Sequence, residues 1–282
     1  MGMDDESFPF LVSGGYIYMA RFCPLFSGSS GNSYYIGSST SGILIDIGRT
    51  AKQIGNMLSL CEIDPTAIRA IFITHEHTDH VKGLRVFASR YHIPVYASRG
   101  TLNELERMGC LEGAFECAEI TESGVECADL LIQPFHTSHD SAESVGYRIR
   151  TYDGRTVGIS TDLGYMSDEV RNSLYGADLV VLESNHDIGM LKNGPYPYPL
   201  KKRILSDTGH LSNLACSEEL RGLAEHGTVR FFLAHLSAEN NTPELAYQTA
   251  FCALSMAGMK AGTDFELSVA PRENTVGKIT IF

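Results

Sequence analysis

A cluster of side chains that commonly bind metals directly follows an apolar segment, and it constrains the fold more than any other feature. Residues 69–73 read RAIFI, and residues 74–80 read THEHTDH. Three histidines and one aspartate within six residues exceed what packing requires, because such side chains are costly to bury without partners. Imidazole and carboxylate groups are the ligands that borderline and hard divalent ions favour. The chain must therefore bring a buried strand to a tight turn, ahead of a helix near Val81, where several side chains share one small volume.

The spacing of these four ligands predicts two metal ions. Four groups this close together would strain one coordination sphere, whereas two ions about 3.5–4 Å apart can divide them and share a water. We assign His75 and His77 to the first ion, and Asp79 and His80 to the second. We expect two divalent cations in each chain, Zn²⁺ because histidines dominate or Mn²⁺ because carboxylates contribute. The alternative is a polar turn whose histidines are only solvated.

Short β-rich segments alternate with helical segments along the rest of the chain. The β-rich segments include 43–47, 69–74, 156–160, 178–183 and 229–235, and the helical ones lie at roughly 50–60, 81–91, 99–108, 211–225 and 243–257. This alternation predicts a layered α/β fold. Several of these strands end in a polar residue where a turn begins, which is where α/β folds tend to collect their chemistry; these residues are Asp46, His75, Asp162, Glu183 and His235.

Composition limits the domain organisation and the location. Residues 1–18 show no periodicity that predicts a helix or strand, so we expect an N-terminal extension over 1–18 and one folded domain over 19–282. The acidic N-terminus does not resemble a secretory signal, and no segment has the ~18–20 apolar residues that a membrane span needs. We therefore expect a cytoplasmic protein with no membrane partner. The seven cysteines form no CxxC pair, so we expect reduced packing residues rather than a disulfide framework.

The HxHxDH motif resembles that of the metallo-β-lactamase superfamily, and it is formed here by His75, His77, Asp79 and His80. The resemblance implies a four-layer αββα fold with a dinuclear metal site. It also implies three further ligands, of which the bridging aspartate is Asp162 in STDLG and the last histidine is His235 in LAHLSAENN. The remaining histidine is either His136 or His139 in PFHTSHD. The resemblance favours His139, with His136 as a neighbouring residue that supports the site or packs in the core.

A set of longer segments resembles one branch of the superfamily, the YycJ/WalJ family of DNA exonucleases. The segments are SGSSGNS (27–33), THEHTDH (74–80), FHTSHD (135–140), TDLG (161–164), ESNHD (183–187), GPYPYPLKKRI (194–204), GHLSN (209–213) and HLSAENN (235–241). The resemblance runs from about Met19 to the C-terminus, and it implies 5′ to 3′ cleavage of double-stranded DNA in genome maintenance. Only about 47 residues separate Asp162 from His210, which leaves no room for an inserted β-CASP cap domain.

The residues indicate how such a site would act. Asp162 between two cations would let a bridging water lose its proton near neutral pH, and the resulting hydroxide would be the nucleophile. Asp79 is a catalytic as well as a metal-binding candidate. In phosphodiesterase members of the superfamily, a histidine upstream of the last ligand serves the leaving group, and the matching residue here is His210 in GHLSN. The alternative for His210 is a surface turn residue.

Further residues are candidate substrate contacts. The small-residue turn around Ser27 and Asn32 allows close backbone approach, although it is also typical of a purely structural turn. The basic and aromatic stretch near 194–204 is suited to a phosphate backbone and to base stacking, although a solvated helix face has the same pattern. The complete set of candidates is Ser27, Asn32, His186, Lys201, Lys202, Arg203 and Asn213.

The formal charge of −12 gives no general attraction to nucleic acid, so the metals or a local basic patch would have to bind DNA. We expect a metal-dependent exonuclease with DNA as its substrate. The alternatives are a thioester or other small-molecule hydrolase of the glyoxalase-II type, a small phosphodiesterase, and a non-catalytic binding module stabilised by metals. The GHLSN segment favours the nuclease, because a thioester hydrolase has no need of His210. Oligomeric state stays open.

Overall fold

Two seven-stranded β-sheets lie face to face in the computed structural model, which describes residues 20–282. The expected extension over residues 1–18 lies outside the described residues. In the first sheet the order is β14-β1-β2-β3-β4-β5-β6, where β1 is Arg21–Phe26, β2 Ser33–Gly37, β3 Gly42–Ile45, β4 Ile68–Phe72, β5 Val95–Ala97, β6 Cys117–Glu119 and β14 Thr280–Ile281.

The second sheet has the order β13-β12-β11-β10-β9-β8-β7. Its strands are β7 (Val125–Cys127), β8 (Leu130–His136), β9 (Val145–Thr151), β10 (Thr156–Ser160), β11 (Leu179–Glu183), β12 (Arg230–Ala234) and β13 (Glu266–Val269). Strands β3 to β6 run parallel in the first sheet, as do β10 to β13 in the second. The remaining strands of both sheets pair antiparallel. Both sheets are therefore mixed.

Helices cover the outer face of each sheet. They are α1 (Ala51–Leu60), α2 (Thr78–Val81), α3 (Leu84–Tyr91), α4 (Arg99–Arg107), α5 (Asp168–Leu174), α6 (Ile188–Asn193), α7 (Tyr198–Ile204), α8 (Asn213–Glu225) and α9 (Pro243–Met256), with a 3₁₀ turn at Pro65–Ala67. Side-chain caps at the N-termini of α1, α4, α5, α6, α8 and α9 satisfy backbone N–H groups that would otherwise lack partners. None of the helices within residues 20–282 has the length and apolarity to cross a membrane.

Three apolar cores hold these layers together, and alternate residues of one strand enter different cores. Phe22 packs between the two sheets, whereas Cys23 and Leu25 pack under the helices of the first sheet. The third core lies between the second sheet and α5, α8 and α9. Because the central strands are buried on both faces, they are apolar throughout rather than alternating. The predicted four-layer αββα fold is therefore confirmed, and the chain from Asp162 to His210 contains no inserted cap domain.

The predicted helix over 81–91 is divided in two. Helix α2 ends at Val81 and α3 begins at Leu84, with Gly83 between them. A Cβ atom on Gly83 would lie 2.3 Å from the backbone oxygen of Arg49, so this turn requires a glycine. All seven cysteines are free, as expected.

Candidate metal centre

Three site residues adopt a backbone conformation that is rare outside glycine. Asp46 follows β3, Asp162 follows β10 and His235 follows β12, and their φ angles are +59°, +57° and +54°. A left-handed backbone costs about 1–3 kcal/mol per residue and occurs most often at functional sites. Each strand therefore ends in a sharp turn, and together these turns bring polar side chains from both sheets to one edge of the molecule.

The first ligand group contains His75, His77 and His139, whose ring nitrogens all lie within 4.8 Å of one another. His77 Nδ1 is 3.3 Å from His139 Nε2. The backbone oxygen of Gly209 accepts a hydrogen bond from His139 Nδ1 at 3.1 Å, which leaves Nε2 directed at the group. This contact links the turn after β8 to the segment that carries His210.

The second ligand group contains Asp79, His80 and His235. Asp79 Oδ2 lies 3.7 Å from His80 Nε2 and 3.5 Å from His235 Nε2. Asp162 lies between the two groups: its Oδ2 is 3.2 Å from His80 Nε2, and its Oδ1 is 3.9 Å from His139 Nε2. The structure therefore brings together all seven residues that the sequence analysis assigned to metal, with Asp162 in the bridging place.

Two of these histidines carry a buried ring nitrogen that has no hydrogen-bond partner, and this fits a cation site. Thr74 donates its hydroxyl proton to Asp46, so Thr74 Oγ1 accepts from His75 Nδ1 at 3.0 Å. His235 Nδ1 donates to Glu183 at 2.8 Å. Nε2 of both His75 and His235 is then buried without a hydrogen-bond partner among residues 20–282. Because an unsatisfied buried polar atom is costly, a cation at each nitrogen fits these sites, and a histidine and carboxylate donor set suits divalent ions.

The buried carboxylates shift the pKa values of the histidines beside them. Burial alone would lower the pKa of His235, but Asp162, Asp79 and Glu183 outweigh it and raise this pKa to about 10. Burial and the neighbouring His80 instead hold the pKa of His75 well below its ordinary value. Without cations the site therefore keeps protons near its carboxylates, and binding of metal must displace them.

Two buried carboxylates orient the ligands, and the sequence analysis assigned neither of them a role. Asp46 Oδ2 accepts from His80 Nδ1 at 2.7 Å, and Asp46 Oδ1 accepts from the backbone N–H of Thr74 at 2.8 Å. The available signal was the polar residue at the end of each strand, which singled out Asp46 and Glu183 without their partners. Hydrogen bonds of this kind fix the tautomer and orientation of metal-binding histidines.

Glu183 serves two histidines at once. Its Oε1 accepts from Nδ1 of His210 and from Nδ1 of His235, both at 2.8 Å. Its Oε2 accepts from the backbone N–H groups of Leu163 and Leu211, both at 3.0 Å. Burial would raise the pKa of Glu183, but His210 and His235 lower it to about 2. The carboxylate is therefore charged and satisfied on both oxygens.

His210 lies beside both ligand groups, as the sequence analysis expected. Its ring centroid is 5.1 Å from that of His139 and 5.3 Å from that of His235. The side chain is 15% exposed. Burial would lower the pKa of His210, but Glu183 raises it above the ordinary value. His210 is therefore held in its protonated form more firmly than an ordinary histidine, with part of its side chain accessible.

His136 lies away from both ligand groups. It ends β8 with a side chain that is 57% exposed, and it contacts Glu169 and Glu143. The structure thus places His139, and not His136, beside His75 and His77. The expectation that His136 supports the site or packs in the core is wrong, because its ring points outward from the last position of the strand.

Three candidate substrate contacts are engaged within the protein. Ser27 Oγ pairs with the hydroxyl of Tyr34 and accepts from the backbone N–H of His235. Asn213 is buried, where it exchanges hydrogen bonds with Asn241. Asn32 receives the N–H of Gly28, and its Nδ2 is 3.0 Å from His80 Nε2. These side chains hold the turns around the site in place.

The other candidates differ in accessibility. Lys201 Nζ donates to the backbone oxygens of Lys192 and Gly194, so it caps the end of α6. Lys202 is exposed. Arg203 pairs with both carboxylate oxygens of Asp140, next to the first ligand group. His186 is 1% exposed, and neither of its ring nitrogens has a hydrogen-bond partner among the described residues.

The chain is similar in sequence to known proteins along most of its length. A family model described as "Beta-lactamase superfamily domain" matches residues 43–236. An exodeoxyribonuclease YycJ of Bacillus anthracis is 36% identical over 252 residues, covering 88% of this chain and 94% of that protein. An exodeoxyribonuclease WalJ of Streptococcus pneumoniae is also 36% identical, over 254 residues that cover 88% and 93% of the two chains.

Solved structures share the fold at lower identity. The metallo-β-lactamase fold protein YhfI from Bacillus subtilis superposes with a TM-score of 0.70 at 16% identity, covering 93% of this chain and 99% of that one. Zn²⁺-bound PqqB from Methylobacterium extorquens also gives 0.70, at 14% identity, covering 93% and 100%. These similarities show that the chain shares the fold of these proteins.

Proposed function

Because this chain belongs to the metallo-β-lactamase superfamily, we propose that it is a metal-dependent exonuclease that acts on DNA. The observation that carries the proposal is the place of His210. Its Nδ1 lies 2.8 Å from Glu183, beside two candidate ligand groups with Asp162 between them. Relatives named exodeoxyribonucleases match over 88% of the chain, which supports the same conclusion.

Two divalent cations would be held by histidine and aspartate side chains. The first would take His75, His77, His139 and Asp162, and the second Asp79, His80, His235 and Asp162. Zn²⁺ suits the histidines, and PqqB, a protein of the same fold, is Zn²⁺-bound; Mn²⁺ suits the aspartates. When bound, such cations would offset the charge of phosphate oxygens and lower the pKa of a bound water to about 7.

The residues of the chain then divide the remaining tasks. Asp46 holds His80, and Glu183 holds His235, so that each ligand keeps one tautomer. His210 Nδ1 is fixed on Glu183, which leaves Nε2 to donate a proton to the leaving oxygen. Asp162, between both ligand groups, positions the attacking water.

The substrate proposed here is the end of double-stranded DNA. The described chain lacks a cap domain that could enclose a strand, so an open cleft favours ends over internal sites. The 5′ to 3′ direction and a role in genome maintenance rest on the resemblance to the YycJ/WalJ family. The candidate contacts for the DNA backbone are Lys202, which is exposed, and Arg203, which pairs with Asp140 next to the first ligand group.

The test is a digest of end-labelled double- and single-stranded DNA and RNA by the metal-loaded protein. Stepwise release of labelled nucleotides from double-stranded DNA is expected. Products from RNA alone would redirect the proposal to a ribonuclease, and intact nucleic acid in every arm would contradict it.

We also propose that residues 19–282 form the hydrolase domain and that residues 1–18 are a dispensable extension. A chain that begins at Met19 should then melt at nearly the same temperature and cleave DNA at nearly the same rate. A large loss of stability would show instead that the extension packs on the domain.

A further inference from the structure

Two arginine side chains lie across the turn between β1 and β2. A Cβ atom on Gly31 would lie 2.7 Å from Cδ of Arg49, and a Cβ atom on Gly28 would lie 4.0 Å from Cγ of Arg272. The two glycines therefore leave room for the arginines to flank the turn. Between them, Ser29 and Ser30 are exposed. We call Ser29, Ser30, Arg49 and Arg272 the arginine cradle.

The cradle has more hydrogen-bond donors than the protein uses. Arg49 Nη2 donates to Ser30 Oγ at 2.9 Å, yet Arg49 Nε is buried and has no hydrogen-bond partner in the described part of the chain. Arg272 donates from Nη2 to the backbone oxygen of Ser237 at 3.3 Å. The backbone N–H groups of Ser29 and Ser30 donate to no group within residues 20–282. Clustered N–H groups beside guanidinium groups form an anion-binding concavity.

The cradle directly adjoins the second ligand group. The residue after the turn, Asn32, donates its backbone N–H to the backbone oxygen of Asp79 at 2.8 Å, and its side-chain amide nitrogen is 3.0 Å from His80 Nε2. On the other side, a Cβ on Gly28 would lie 3.1 Å from the backbone oxygen of Leu236, next to the ligand His235. An anion in the cradle would therefore lie beside the site that takes the scissile phosphate.

The local charge favours such an anion, although the protein as a whole carries −12. Glu273 accepts from Arg49 at 3.3 Å, but its side chain is 46% exposed and Arg49 is only 17% exposed. An ion pair with one exposed partner contributes little, so a phosphate can replace Glu273. Arg49 also lies 5.4 Å from the ring of Phe26, which keeps the guanidinium in place.

We propose that the arginine cradle binds the phosphate of a nucleic-acid strand that neighbours the scissile phosphate. This inference rests on the proposed function and deepens it, since it assigns the substrate a second point of attachment. The chemistry suits a phosphodiester because Arg49 and Arg272 flank a turn whose Ser29 and Ser30 N–H groups have no acceptor within residues 20–282. A substrate with a single phosphate would not use the cradle.

The experiment compares the metal-loaded full-length wild type with Arg49→Gln, Arg272→Gln and the control Arg221→Gln. Arg221 is an exposed arginine that pairs with Glu225 on α8, outside the cradle. Each protein is tested for cleavage of a short oligodeoxynucleotide and of bis-para-nitrophenyl phosphate, which has one phosphate. Binding of the oligodeoxynucleotide and of inorganic phosphate is measured separately, by fluorescence anisotropy with increasing salt and by calorimetry.

Each cradle variant should raise KM for the oligodeoxynucleotide about tenfold, with kcat and hydrolysis of the small diester unchanged. A plot of the logarithm of the association constant for the oligodeoxynucleotide against the logarithm of the salt concentration has a negative slope. That slope should become shallower by about 0.7 for each lost phosphate contact. Arg221→Gln should match the wild type. Thermal unfolding of each variant verifies the fold, and the two arginines test the cradle independently.

Equal KM values and equal salt slopes in all four proteins would overturn the cradle while leaving the nuclease proposal intact. If DNA is bound with this dependence on Arg49 and Arg272 but is not cleaved, the cradle stands and the proposed function fails. Loss of inorganic phosphate binding alone, with unchanged oligodeoxynucleotide binding, would overturn the assignment to a nucleic-acid strand.

Discussion

Glu183 Oε1 lies 2.8 Å from Nδ1 of His210. The same oxygen accepts from His235 at 2.8 Å, so one carboxylate orients both a candidate metal ligand and the candidate proton donor. The second oxygen is occupied by two backbone N–H groups. A change at Glu183 should therefore affect metal binding and proton transfer together.

We expect Glu183→Gln to lower metal affinity or activity about 10–100-fold, the usual effect of losing a group that orients a ligand. The amide would place an NH₂ group against donors that require an acceptor. Glu219→Gln is the matched control, because Glu219 pairs with Arg171 on the helices of the outer layer. Atomic absorption and initial rates on DNA measure both effects. Wild-type behaviour of Glu183→Gln would show that the shared carboxylate has no functional role.

We predict that His210→Ala keeps its metal and its fold but loses about 10²–10⁴-fold in kcat, the range for a general acid. His210 belongs to the group around Glu183, its ring lies beside those of His139 and His235, and its Nδ1 is 3.6 Å from Asp162 Oδ1. His136→Ala serves as the control, since His136 is a largely exposed histidine outside the site. Normal activity of His210→Ala would return this residue to a structural role in its turn.

The ligand assignment predicts different metal losses for two variants. His77→Ala should lose the first ion, and His235→Ala the second, with each loss weakening the other site through Asp162. Metal content per chain, measured by mass spectrometry after dialysis, should fall below two in both. His136→Ala should retain the full amount, and a full amount in either ligand variant would refute the assignment.

The buried ring of His186 should make the free energy of unfolding depend on pH. Burial lowers its pKa from the ordinary 6.5 to about 4, so between these values the unfolded chain binds a proton that the folded chain does not. Stability from this group is therefore present above pH 6.5 and is lost as the pH falls toward 4, by up to about 3 kcal/mol. His186→Asn should remove this component. Urea unfolding of both proteins at pH about 5 and about 7 measures it, and an identical pH dependence in both would contradict the prediction.

Local signals in the sequence predicted much of the fold and the first four ligands. The strand Thr156–Ser160 has the predicted bounds, and all of its residues are buried. His75 and His80 were identifiable because they stand close together in the chain. The edge strand Cys117–Glu119 has three exposed residues and so no apolar pattern. It forms through pairing with β5, which depends on the rest of the sheet.

Roles that depend on distant partners were not predictable. Glu183 acts on residues 27 and 52 positions away, and no spacing rule links them. Asn213 was a candidate substrate contact, yet it lies buried against Asn241, because both residues join turns that meet only in the folded chain. Lys201 was likewise a candidate, but nearby backbone oxygens accept its protons. In each case the residue type indicated a polar side chain. Its hydrogen-bond partner, however, depends on which segments the folded chain brings together.

The most direct test of the central proposal is a timed digest of linear and covalently closed circular duplex DNA with Mn²⁺ or Zn²⁺, beside a thioester substrate. Because the open site is expected to act at strand ends, only the linear DNA should release mononucleotides or short products, and chelator should abolish the release. The thioester should remain intact. Rapid turnover of the thioester with both DNA forms intact would contradict the account.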